Sequence, residues 1–285
     1  TNKGVEFTLN TRNILTHDFT WTSGLTFSIN RNEVTKLYSE SSAISGINGN
    51  ETLTYTMVGE PVGQFYGYKV IGMFKEESDF YKKDADGNFQ LDEAGNRIRI
   101  AIPKGQQISK NGIWVGDYIY EDLHEDGVID EKDRTFLGNP APKFTFGFNN
   151  YFAYKGFDLN IFLNGSVGNK AVNLIRRTFT DPMRNSNLLK EATDIALIGM
   201  HDPEVGDEEL SNVYIVNADR AKVQRVTTSS ANDNNRISSR FIEDASYLRI
   251  KNISLGYTFP RKWLRHLQID NIRLYVNIQN LCTIS

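Results

Sequence analysis

The chain has 285 residues, 39% of them hydrophobic and 12% aromatic, which is ample for a packed core and unlike a disordered composition. Lys and Arg number 32 against 35 Asp and Glu, a net charge of −3, so there is no basic excess of the kind nucleic-acid binding requires. A single cysteine, Cys282, excludes an internal disulfide and a cysteine-based zinc site and reads as a small buried hydrophobe.

No apolar run approaches the ~18 residues of a helical membrane span, and mean hydropathy is −0.43. That says nothing of barrel strands, which dilute apolar residues with polar ones on the opposite face. At the N-terminus Val5, Phe7 and Leu9 alternate with Glu6, Thr8 and Asn10, a strand rather than a secretory leader. After a turn at Thr16-His17-Asp18, Phe19, Trp21, Leu25, Phe27 and Ile29 share one face, predicting a hairpin from Gly4 to about Tyr38. Ser39 to Asn50, rich in Ser, Gly and Asn, reads as a loop.

Phe65 to Phe74 predicts one strand, its aromatics open to three readings: sugar platform, interfacial girdle or core packing. Asp84-Ala85-Asp86-Gly87-Asn88 and Glu93-Ala94-Gly95-Asn96 predict turns of a small exposed hairpin. Ala171 to Phe179 and Asn187 to Leu197 have helical spacing, separated by the breaker Asp181-Pro182.

Between these lie the clearest strands. Phe144, Phe146, Phe148, Phe152 and Tyr154 form one greasy face, with Lys143, Thr145, Gly147 and Asn149 on the other. After Lys155-Gly156, Phe157, Leu159, Ile161 and Leu163 oppose Asp158, Asn160, Phe162 and Asn164, where Phe162 breaks the polar side. Each run covers the roughly 9–11 residues a tilted strand needs to cross a bilayer, longer than the ~5–6 of a soluble strand. From Tyr247 the alternation changes phase between Ile250 and Ile253, predicting a bulge near Lys251-Asn252. Pro260 to His266 is a turn, and Leu274, Val276 and Ile278 end the chain in a last strand. Phe144, Phe146, Phe148, Phe152, Leu159, Ile161, Leu163, Leu274, Val276 and Ile278 are the expected lipid-facing set.

Asp122 to Asp133 matches the twelve-position calcium loop at positions 1, 5, 6, 9 and 12. Asp122, Asp126, Asp130, Asp133 and the Val128 carbonyl are the candidate ligands for a possible Ca2+. His124 at position 3 is a poor oxygen substitute, and Asp133 is shorter than the usual glutamate. The plain alternative is a tight loop in which these carboxylates cap backbone amides. None of His17, His124, His201 and His266 sits in a Ser or Cys triad motif, so no catalytic constellation is expected.

GD-x-x-Y-x-D-L at 116–123, DGVID at 126–130, LGNPAPKFTFGF at 137–148 and YKGFDL at 154–159 occur in that order. NKGVEFTLNT opens the chain at 2–11, FIEDASYLRIKNISLGYTFP covers 241–260 and RLYVNIQNL covers 273–281. Together they resemble the C-terminal barrel region of the SusC/RagA-like TonB-dependent outer-membrane proteins of Bacteroidetes.

The resemblance implies an all-β fold: an antiparallel transmembrane β-barrel segment, part of a plugged barrel of about 22 strands with long extracellular loops. It implies that residues 1–285 are the C-terminal part of such a barrel, without the N-terminal plug and final strands. About seven to ten strands are expected here, too few to close a barrel. The implied activity is import of oligosaccharides or peptides across the outer membrane of a Gram-negative cell, not catalysis. The implied partners are a SusD-like surface lipoprotein, the TonB/ExbB/ExbD complex, the cargo and outer-membrane lipid. The rival reading is a soluble all-β carbohydrate-binding module with a calcium loop, whose strands would be short and whose apolar face would turn inward.

Overall fold

A computed structural model describes residues 1–39 and 43–285. Six long strands make one antiparallel sheet: β1 (Asn2–Leu15), β2 (Phe19–Asn32), β3 (Phe144–Tyr154), β4 (Phe157–Val167), β5 (Tyr247–Thr258) and β6 (Arg273–Ile284), side by side in that order. The strands are 11 to 14 residues long, as bilayer-crossing strands must be. Among the described residues no helix is long and apolar enough to cross a membrane.

The connections alternate in length. β1 turns into β2 over 16–18, β3 into β4 over 155–156, and β5 into β6 over 259–272, all at one end of the sheet. Lys155 and Gly156 both have positive φ (45° and 91°), the two-residue turn whose twist matches the strands it joins. At the other end the chain makes two long insertions, 33–143 and 168–246. They occupy much of the chain, which is why the sheet has six strands rather than seven to ten. β1 and β6 pair on one side only and not with each other, so the sheet is an open segment.

The predicted bulge falls where expected: the β4–β5 register slips between Phe162/Asn252 and Leu163/Ile250, passing over Lys251. That slip keeps Ile250 and Ile253 on one face, opposite Leu163 and Ile161. Cys282 is exposed, not buried, because β6 is an edge strand.

The buried apolar core lies in the insertions, not in the sheet. Phe74, Phe80, Ile113, Trp114, Val115, Tyr118, Tyr120, Ile129, Val213 and Ile215 pack together, with the Phe74 and Phe80 rings stacked 4.0 Å apart. Phe65 to Phe74 is two short strands, Gln64–Tyr68 and Val70–Met73, broken at Lys69 because Tyr68 N–H donates to Ile237 O and Val70 N–H to Ser239 Oγ. Its aromatics are therefore core packing for the most part. Phe65, Tyr68 and Phe74 are buried, and Tyr66 stacks on Tyr55.

Three local expectations change. Within 39–50, residues 40–42 lie outside the described residues, but Ala43–Asn48 is a strand, paired with Glu51–Met57 across a tight turn. Pairing with a β-rich neighbour overrides its Ser/Gly composition. Only Leu174–Phe179 of the first helical stretch is α-helix, capped by Asn173 Oδ1 accepting from Arg176 N–H, because Lys170–Val172 pairs instead with Ile242–Asp244. The second stretch holds a single 3-10 turn, Lys190–Asp194. The hairpin turns do form: Asp84 Oδ1 accepts from the Asp86 and Asn88 amides, and Asp92 Oδ1 from those of Ala94 and Asn96.

Candidate functional site: a two-faced sheet beneath a fused cap

The register sorts the sheet's side chains into two faces, since directly opposed residues of antiparallel neighbours point the same way. On one face a row runs Leu9, Leu25, Phe148, Leu163, Ile250, Cys282, and another runs Trp21, Phe152, Leu159, Leu255, Val276. Phe146 and Phe27, Ile161 and Ile253, and Tyr257 and Leu274 extend it. The ten residues expected to face lipid all lie on this side. None belongs to the buried core, whereas a soluble module would place Phe146 and Ile161 there.

Asn150 interrupts this face, but its Oδ1 accepts from Trp21 Nε1 (3.1 Å) and Ser23 Oγ (2.7 Å), so the polar atom is not left bare. The opposite face reads Thr8, Thr26, Gly147, Asn164, Arg249, Thr283 and Asn10, Gly24, Asn149, Phe162, Asn252, Gln279. Phe162 belongs there for a packing reason: its ring lies over Gly147, where an added Cβ would come within 3.2 Å of it. An aromatic covering a cross-strand glycine repairs the hole that glycine leaves.

Above the sheet the two insertions are one body. Asp117, fully buried, accepts from Arg225 Nε (2.9 Å) and Nη2 (3.1 Å), from Asn234 Nδ2 (2.8 Å) and from the Trp114 amide (2.9 Å). Arg225 also donates to the carbonyls of Lys110 and Gly112, and Asn232 joins Asn234 to Tyr118 O. Every charge-bearing atom of the pair thus has a partner, the condition for a buried ion pair to be tolerated. Gly116 shapes the approach with φ +93°; a Cβ there would meet Arg225 Cβ at 2.7 Å.

Further joints cross between insertions. Arg240 stacks 3.8 Å from the Tyr118 ring centre, and Arg236 lies 4.6 and 4.7 Å from those of Tyr68 and Tyr120. Burial pushes the Tyr118 and Tyr120 hydroxyls far above their ordinary range, so both stay protonated while donating to the carbonyls of Lys222 and Asp233. Asp117 and Arg225 were not singled out from sequence. They stand 108 positions apart, so no local pattern in the sequence joins them.

The acidic loop gathers Asp122, Asp126, Val128, Asp130 and Asp133 in one tight turn. Asp122 Oδ2 accepts from Gly127 N–H, Asp126 Oδ1 from Val128 N–H and Asp130 Oδ1 from Lys132 N–H. Asp133, buried, accepts from Leu123 and Asp130 amides and completes a capping box with Asp130. Among the described residues no three His, Cys, Asp or Glu side chains converge to hold a metal ion. The arrangement on view is a capped turn; Asp122 Oδ1 alone is buried without a hydrogen-bond partner.

A one-sided apolar sheet of long strands, open at both edges and carrying its long connections at one end, defines a segment of an antiparallel transmembrane β-barrel. No family model matches the chain. It is 31% identical, over 99% of its length, to TonB-dependent receptor P3 of Formosa agariphila, and 24% identical over 100% to TonB-dependent receptor SusC of Bacteroides thetaiotaomicron. The structure of the RagAB peptide transporter shares its fold with a TM-score of 0.68 at 20% identity, covering 100% of this chain and 26% of that one. The chain spans 24% and 23% of the two receptors, about a quarter of their length. It is a SusC/RagA-like segment, and these relatives are receptors and transporters rather than enzymes.

Proposed function

We propose that this segment forms part of an outer-membrane barrel that imports oligosaccharides or peptides, powered through TonB/ExbB/ExbD and working with a SusD-like lipoprotein at its outer end. The carrying observation is that both long insertions leave the same end of the two-faced sheet and share one core. Outer-membrane barrels keep short turns on the periplasmic side and long loops outside. A fused cap of this size at the outer mouth is a surface on which a lipoprotein and its cargo can be held. The peptide cargo named for RagAB supports the peptide class.

The test is single-cysteine labelling of the full-length receptor in intact cells, in a background without native cysteines. Asp86→Cys, in the cap, should react with an impermeant maleimide from outside, and His17→Cys, in a short turn, only after permeabilisation. Equal or reversed labelling refutes the orientation. Uptake of labelled glycan or peptide that survives collapse of the proton-motive force refutes the energy source.

For the acidic loop, a weak calcium site is a second reading, favoured by the bare Asp122 Oδ1. Calcium would compete with the amides that the carboxylates now cap, so its affinity belongs at the weak end, on the order of 10⁻⁴–10⁻³ M. His124→Asn should tighten binding and Asp126→Ala abolish it. No heat on titration with millimolar calcium leaves a capped turn.

A further inference from the structure

At the end of the sheet that carries the short turns, the apolar face finishes in a row of rings. Phe19, Tyr154, Phe157 and Tyr257 stand opposite one another on the adjacent strands β2, β3, β4 and β5. The Phe157 and Tyr257 rings are 4.5 Å apart, Phe259 lies 5.1 Å beyond Tyr257, and Trp263 follows at 6.3 Å, 57% exposed. Tyrosine and tryptophan gather where hydrocarbon gives way to lipid head groups, so this row marks a membrane boundary and puts the connection 259–272 at head-group level.

That connection is rich in cations. Arg261–Leu264 is one helical turn, continued by the 3-10 turn Arg265–Leu267. Leu264 is its buried side, and Arg261, Lys262, Arg265 and His266 are exposed. Against them stands one acid, Asp270, whose Oδ1 lies 2.6 Å from Arg261 Nη2. Among the described residues neither Lys262 nor Arg265 has an ion-pair partner. The two are three positions apart, the spacing that brings side chains together on a helix, so their like charges repel unless an anion lies between them. The neighbouring short turn offers none: Asp18 is already opposed by His17 and Lys155.

We propose that this connection is a docking site for the head group of an anionic phospholipid, with Lys262 and Arg265 on the phosphate and Trp263 against the glycerol and upper acyl chain. The site takes its leaflet, the periplasmic one, from the orientation proposed above. It needs no groove for the acyl chains, because it continues a sheet face that is already apolar. Charge selects the occupant. Phosphatidylglycerol brings an uncompensated negative charge, whereas phosphatidylethanolamine carries its own ammonium and leaves the two cations unanswered. An ammonium and a planar guanidinium side by side are suited to a phosphodiester, the first as a point charge and the second as a fork.

Native mass spectrometry of the full-length receptor in detergent, supplied with equal amounts of phosphatidylglycerol, phosphatidylethanolamine and lipid A, counts the lipids retained. Phosphatidylglycerol should be retained ahead of phosphatidylethanolamine. A cation near an anionic lipid surface is worth about fivefold in affinity, so Lys262→Gln/Arg265→Gln should weaken phosphatidylglycerol about 25-fold with Tm unchanged. Lys155→Gln, at the same end but opposite Asp18, should leave the preference intact. Lys262→Glu/Arg265→Glu should abolish it and decides the matter if the first variant folds poorly. Equal retention of the two phospholipids by the parent, or retention that both charge variants leave unchanged, overturns the site. Lipid A held in place of phosphatidylglycerol and lost in the same variants overturns the leaflet. Cysteine labelling reports separately on the orientation: His17→Cys labelled from the periplasm while phosphatidylglycerol shows no preference rejects the head-group site alone.

Discussion

Asp117→Ala is the sharpest test of the claim that the two insertions are one body. The substitution removes four accepted hydrogen bonds, two from Arg225 and one each from Asn234 and Trp114, and leaves the guanidinium buried with only the Lys110 and Gly112 carbonyls. Breaking a buried pair from one side typically costs about 3–5 kcal/mol. At about 1.4 kcal/mol per decade this is roughly a 100- to 4,000-fold rise in the opening equilibrium.

Hydrogen-exchange mass spectrometry of the full-length receptor reads it by region. Peptides covering 107–121 and 222–236 should exchange faster together by that factor, while β3 and β4, held by their own ladder, stay protected. The double variant Asp117→Leu/Arg225→Met should not restore protection, because the Trp114 amide and the Lys110 and Gly112 carbonyls would still lose their partners. A change under tenfold, or acceleration of one insertion without the other, refutes the joint.

Three further outcomes follow from the same geometry. Ile161→Arg, on the apolar face near mid-strand, should destabilise the full-length barrel in lipid by about 2–4 kcal/mol, while Asn160→Arg on the polar face should be mild; urea-driven unfolding in vesicles measures both. Gly67→Ala should loosen the cap by about 1–3 kcal/mol, because its Cβ would stand 2.4 Å from Ile237 O beside the Tyr68–Ile237 hydrogen bond; exchange at 64–70 and 235–239 reports it. Hydrogen bonds from Arg176 hold the Glu191 carboxyl below its ordinary value of 4.5. A depressed carboxylate stabilises fully above that value and loses its contribution as pH falls through the folded one, so acidification below 4.5 should open 174–194 to proteolysis. Glu191→Gln should flatten that acid dependence.

The sheet was legible in the sequence because a period of two is a local signal, carried by runs such as Phe144 to Tyr154 and Phe157 to Val167. Even the bulge at Lys251 announced itself as a phase change. Phe162 looked like an error in the pattern until Gly147 across the strand explained it. The cap was not legible, because its order is non-local. Phe74, Trp114 and Val213 have no shared period, and Ala43–Asn48 becomes a strand only through the partner at Glu51–Met57. The acidic loop was legible as a tight turn with the right carboxylates, but their hydrogen bonds to backbone amides were a matter of orientation that spacing does not encode.

The shared core of the insertions has a consequence for anyone recombining such receptors. Loops that stand alone can be transplanted singly, but here Asp117 arrives with one insertion and Arg225, Asn232 and Asn234 with the other. A chimaera that exchanges 33–143 while keeping 168–246 would match an acid to a foreign partner and set Arg236 and Arg240 against foreign side chains where Tyr68 and Tyr118 now stand. Exchange of both as a matched set, cut at the ends of β2, β3, β4 and β5, conserves the joint. The unit of packing in this region is the pair of insertions, although the chain writes them a strand hairpin apart.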